Sequence, residues 1–97
     1  MIFLGNRIRQ SRLRRGLTQE QLAEKAGVSR TAITRWESGA AYPTVDHLID
    51  LCRILDTDAC YLLGVGNKNQ MIEELRKMSA TLEQILVLLE DDKRRDV

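Results

Sequence analysis

Apolar residues recur at three- and four-residue steps along the chain, and that period predicts helices. In residues 4–15, Leu4 and Ile8 begin a stripe that Ser11 and Arg12 continue, with Arg7, Arg9, Arg14 and Arg15 around the rest. Leu22, Ala23 and Ala26 mark a second helix, and Ala32, Ile33 and Trp36 a third. Leu48, Leu51, Cys52 and Leu55 stand at i, i+3, i+4 and i+7 in residues 45–55, a core stripe. Ala59, Tyr61, Leu62 and Leu63 suit a short fifth helix. After the polar, glycine-containing break at residues 64–69, the pattern changes. Ile72, Leu75, Ser79, Leu82, Leu86 and Leu89 alternate three- and four-residue steps, and Met71, Met78 and Ile85 broaden the stripe. With no Gly or Pro in residues 70–90, this predicts one helix roughly 30 Å long with a face too apolar to leave in water.

Residues 19–39, QEQLAEKAGVSRTAITRWESG, organise the first part. Thr18 and Gln21 fit a capping box at the start of the second helix. Gly27 supplies a left-handed stop, Ser29 caps the third helix, and Gly39 ends it. Two helices joined by a tight turn containing Gly form a helix-turn-helix unit. On the third helix, Ser29, Ala32, Ile33, Trp36 and Glu37 share the inward side. Arg30, Thr31, Thr34 and Arg35 cover the other, in an arc of about 140°. Arginine can fork onto guanine, and threonine can bond a base edge or touch a thymine methyl. On an isolated helix such a face would be ordinary solvated surface; on the second helix of this motif it points to base reading.

The run from Leu4 to Gly64, and most specifically LTQEQLAEKAGVSRTAITRWESG, resembles the DNA-binding domain of the Cro and lambda-repressor-like (Xre) family. The resemblance implies an all-α, five-helix domain that sends its third helix into the major groove. It implies that Arg30, Thr31, Thr34 and Arg35 are the base-reading positions. It implies that Gln19 grips the DNA backbone beside the first base contacts, and that Arg12 and Glu37 pair between the first and third helices. Thr18, Ser29, Ser38 and Tyr42 are further candidates for backbone contacts. Ser11 and Asp56 depart from the family pattern, which more often has an aliphatic residue and Gly there; looser packing and an uncertain turn are the expected consequences.

Arg12 has a second reading, in which it snorkels to water and Glu37 merely ends a helix. Tyr42 either lays its hydroxyl on a phosphate or packs on Pro43. Residues 40–44 form a loop ended by Thr44 or Asp46 as cap, and Thr57 or Asp58 caps the fifth helix. Asp46, Asp50, Asp56 and His47 are expected at the surface. Residues 91–97 are highly charged and expected to fray.

The net charge of +1 predicts no polyanion by itself. Its distribution is more telling: residues 1–40 carry eight Lys/Arg against three Asp/Glu, and residues 41–97 seven against eleven. A basic half joined to an acidic half suits one face turned toward phosphate. Cys52 and Cys60 lack CxxC spacing and have a single histidine in the chain to help them, so they read as reduced core thiols and no metal site is expected. No apolar run suits a membrane span, and the apolar start at residues 1–4 is followed by Arg7 and Arg9, the wrong order for a secretion signal. The expected location is the cytoplasm.

These observations divide the chain into a DNA-binding domain (1–64), a linker (65–69) and an amphipathic segment with a charged tail (70–97). The stripe of Met71, Ile72, Leu75, Met78, Leu82, Ile85, Leu86 and Leu89 is expected to dimerise. It has two other possible partners, the first domain and a different protein. Removal of residues 70–97 is expected to leave a folded monomer. No carboxylate pair, metal spacing or nucleophile–base arrangement suggests an enzyme, and no cofactor is expected. The expected function is a sequence-specific regulator of double-stranded DNA, a repressor acting as a homodimer on a two-fold operator. The alternative is an antitoxin or other interaction module whose C-terminal helix captures a different protein.

Overall fold

From Thr18 onward, helix starts in this chain coincide with side-chain oxygens that accept an orphan backbone N–H. In the computed structural model, which describes the backbone of residues 4–95 and the side chains of residues 4–91, seven helices follow one another. They are α1 (Leu4–Arg14), α2 (Gln19–Ala26), α3 (Arg30–Ser38), α4 (Val45–Ile54), α5 (Ala59–Leu63), α6 (Lys68–Lys77) and α7 (Leu82–Arg95). Residues 1–3, read above as no secretion signal, and residues 96–97 of the charged tail lie outside the described residues.

Thr18 and Gln21 close a reciprocal capping box on α2, and Ser29 caps α3 by accepting from the Ala32 N–H. Thr44 caps α4 and Asp58 caps α5. Gly27 and Gly39 take the left-handed conformation that ends α2 and α3. After α4, Asp56 occupies the same region at φ 51°, and the Thr57 N–H donates to the Cys52 carbonyl. This is a Schellman turn at the position where the family favours Gly. Ser11 is buried and accepts from the Arg14 guanidinium at 3.3 Å, so a polar contact stands where the family more often packs an aliphatic side chain.

The C-terminal segment differs from the single helix expected over residues 70–90. The stripe breaks at Ser79, which adopts φ 61°. The Ala80 N–H donates to the Leu75 carbonyl and the Ser79 N–H to the Arg76 carbonyl, another Schellman turn. Thr81 and Gln84 then form a second capping box: the Thr81 N–H donates to Gln84 Oε1 and the Gln84 N–H to Thr81 Oγ1. Upstream, the stretch read as a linker is itself cap structure. Gly64 ends α5 in the left-handed conformation, and Asn67 starts α6 by accepting from the Gln70 N–H.

Because of this break, α6 packs on α5 and α7 returns across α4. Met71, Leu75 and Ile85, expected on a self-association face, are instead buried in the core of their own chain, together with Leu88. They join Leu4, Ile8, Leu22, Ile33, Trp36, Leu48 and Leu51 in one continuous cluster. Ile72, Met78 and Leu89 are partly buried against it, leaving Leu82 and Leu86 as the exposed members of the stripe. Among the described residues, polar contacts at both ends of the pair hold α7 to α4. Gln84 Nε2 donates to Asp46 at 2.7 Å, and Arg53 Nε donates to the buried Asp91 carboxylate at 3.0 Å. The helix therefore continues to Arg95, through the stretch from Asp91 that its charge content suggested would fray.

Gly5 sets how closely α1 approaches the end of α3. A Cβ at this position would lie 2.6 Å from the Glu37 carbonyl oxygen and closer still to that of Trp36. Both obstacles are backbone, which cannot turn aside. Gly5→Ala is therefore expected to cost about 1–3 kcal/mol despite alanine's better helix propensity. The midpoint of urea unfolding measures this loss, and an unchanged or higher midpoint would show that α1 can move away freely.

Candidate nucleic-acid interface

The first three helices and their caps carry the predicted base-reading residues and, apart from Tyr42 in the loop after α3, the predicted backbone contacts. Helix α3 packs on both α1 and α2, burying Ile33 and Trp36. Arg30, Thr31, Thr34 and Arg35 are left exposed on its outward side. The caps at the starts of α2 and α3, Thr18 and Ser29, are exposed, as is Ser38 at the end of α3. Ser38 Oγ donates to the Arg35 carbonyl, which binds it to its own helix turn. Tyr42 is exposed, whereas the neighbouring Pro43 is buried, so the ring is not held in the core.

Behind this face lies a buried ion pair. Arg12 Nε and Nη2 reach the two carboxylate oxygens of Glu37 at 2.7 and 3.0 Å. The third guanidinium nitrogen, Nη1, donates to the Leu17 carbonyl at 2.9 Å. The two side chains are only 9% and 5% exposed, which settles the choice between pairing and snorkelling in favour of pairing. This bidentate fork ties α1 to the end of α3 and to the turn before α2.

Gln19 extends the network outward. Its Nε2 donates to Glu37 at 3.2 Å, and its Oε1 accepts from the Thr34 hydroxyl at 3.3 Å. The same hydroxyl lies 3.1 Å from the Arg30 carbonyl. A chain of hydrogen bonds thus runs from Arg12 in the interior to Thr34 on the outward face. The contact of Gln19 with Thr34 depends on how α2 crosses α3, which no local pattern in the sequence reports.

Other cations of the basic half are engaged elsewhere. The guanidinium carbons of Arg7 and Arg14 lie 4.7 and 5.1 Å from the centroid of the Tyr61 ring, within cation–π range, and so tie α1 to α5. Arg9, Arg15, Lys25, Arg30 and Arg35 remain exposed. His47, expected at the surface, is half-buried: its ring lies 5.1 Å from that of Trp36, and Nδ1 is 3.0 Å from the Thr44 hydroxyl. The Cys60 thiol donates to the Met71 sulfur at 3.8 Å, and Cys52 is buried, both packed within or against the core.

A capped helix pair presenting an exposed polar and cationic helix face defines a helix-turn-helix DNA-binding domain. The family model described as helix-turn-helix matches residues 8–62, and the chain belongs to the Xre/Cro-like family of helix-turn-helix transcriptional regulators. It is 33% identical to the HTH-type transcriptional regulator YobD of Bacillus subtilis, over 80% of this chain and 70% of the relative. It is 29% identical to the cryptic phage CTXphi transcriptional repressor RstR of Vibrio cholerae, over 72% of this chain and 75% of that protein. A shorter segment is 55% identical to the HTH-type transcriptional activator BcrR of Enterococcus faecalis, covering 43% of this chain and about a fifth (21%) of the activator's length. No solved structure matches significantly. Among the described residues, no helix is long and apolar enough to cross a membrane.

Proposed function

We propose that this chain is a cytoplasmic, sequence-specific repressor that binds a two-fold DNA operator as a homodimer. The observation that carries base reading is the outward face of α3, where Arg30, Thr31, Thr34 and Arg35 stand exposed on a helix anchored from behind by the Arg12–Glu37 pair. A rigid helix with short polar and forked cationic side chains fits the major groove and its edge pattern. Thr18, Gln19, Ser29, Ser38 and Tyr42 flank that face as phosphate contacts, which give orientation and salt dependence but no sequence information. Repression is supported by the similarity to RstR, whose name states that role and of which this chain covers three quarters.

Self-association is supported by Leu82 and Leu86, 71% and 55% exposed on α7. The half-buried Ile72, Met78 and Leu89 belong to the same sequence stripe. The chain measures 32 × 29 × 21 Å, so two copies side by side suit half-sites about 34 Å apart, one turn of DNA. A foreign protein on this face is the competing occupant. The mass of the purified chain in solution distinguishes them: a dimer weakened by Leu86→Glu supports the proposal, and a monomer at all concentrations contradicts it.

Arg35→Ala is expected to cost about 1–3 kcal/mol of binding and to relax preference at one base position. Titration against single-base variants of a bound site measures both. Equal losses on every sequence would make Arg35 a phosphate contact.

A further inference from the structure

We infer that Thr34 reads its base as a hydrogen-bond acceptor only, and so selects adenine or cytosine over guanine or thymine on the strand it faces. The inference rests on the base-reading role proposed for α3 and adds the polarity of one contact. It begins at Glu37, whose carboxylate already accepts from two nitrogens of Arg12 and has no hydrogen to give. The Gln19 amide must therefore turn its NH2 toward Glu37, which leaves its carbonyl facing Thr34. The other neighbour of the Thr34 hydroxyl is the Arg30 carbonyl, also an acceptor. Whichever of these two oxygens takes it, the hydroxyl's one hydrogen is spent inside the protein. Only lone pairs remain for the groove.

In the major groove, the exocyclic amino groups of adenine and cytosine are donors, whereas guanine O6 and N7 and thymine O4 are acceptors. An acceptor-only hydroxyl satisfies the first pair and meets the second lone pair to lone pair. Glu37 contributes by holding the Gln19 NH2 away from Thr34, so that this amide does not occupy the lone pairs left for the base.

The test uses the full chain and its Thr34→Val variant, which keeps the shape and removes the oxygen. Thr34 is exposed, so the variant should melt with the wild type. Each protein is used to select bound duplexes from a random library, and the position whose preference changes between them is the one Thr34 faces. That position is expected to be adenine or cytosine. Replacing the base there by the analogue lacking the amino group (purine for adenine, pyrimidin-2-one for cytosine) should weaken wild-type binding about tenfold and the variant's less than twofold. Guanine or thymine at that position, an analogue bound as tightly as the natural base, or no change of preference in Thr34→Val would each overturn the inference while leaving α3 a reading helix. If neither protein enriches any site, the base-reading role itself fails and the inference with it.

Discussion

Glu37→Ala is expected to lower the stability of the folded chain by about 3–5 kcal/mol, because it strands the Arg12 guanidinium in a site 9% exposed to water. The loss comes less from the attraction removed than from the charge left behind. Arginine cannot discard its proton, and among the described residues the Leu17 carbonyl alone would remain of its hydrogen-bond partners. Since small domains have about 5–15 kcal/mol in total, a single substitution of this kind takes a large share. Replacing both partners by apolar residues of similar length, Arg12→Met with Glu37→Leu, should recover much of the loss, as paired burial of charge is itself costly. Urea unfolding of the two variants measures both effects. A loss below about 1 kcal/mol in Glu37→Ala would mean that Arg12 reaches water with little rearrangement.

The second large effect is expected from the C-terminal helices. Leu75 and Leu88 are fully buried, and Leu→Ala at either position should cost about 2–5 kcal/mol through lost transfer energy and the cavity left behind. Ending the chain at residue 69 removes Met71, Leu75, Ile85 and Leu88 from the shared core at once and exposes the surfaces of α4 and α5 that they cover. The truncated chain is therefore expected to melt far below the full chain or not to fold, rather than to persist as the independent monomer that the sequence pattern suggests. Thermal unfolding followed by far-ultraviolet circular dichroism decides this. A truncated chain that unfolds as cooperatively and at the same temperature would make α6 and α7 an appendage.

What the sequence reveals and what it hides divide along the distinction between local and long-range interactions. The capping box at Thr18 and Gln21, the Ser29 cap and the left-handed stops at Gly27 and Gly39 depend on residues within one turn, so helices α2 and α3 are legible from the order of residues alone. The outward arc of Arg30, Thr31, Thr34 and Arg35 follows from helical period. The apolar stripe of residues 71–89 is equally legible, but a stripe does not name what covers it. Its three-and-four spacing runs unbroken across Ser79, and this masked a turn that Thr81 and Gln84 announce with the same signature as Thr18 and Gln21. The closeness of Gly5 to the end of α3, and of Gln19 to Thr34, has no local signal at all. Both arise where helices cross.

Selection of bound sequences from a random duplex library at near-physiological salt tests the proposed role of α3 and the dimer most directly. The expected result is an inverted repeat whose half-sites are centred about one helical turn, roughly 34 Å, apart. No enriched sequence, with the protein shown to be folded, would contradict sequence-specific DNA recognition by this chain.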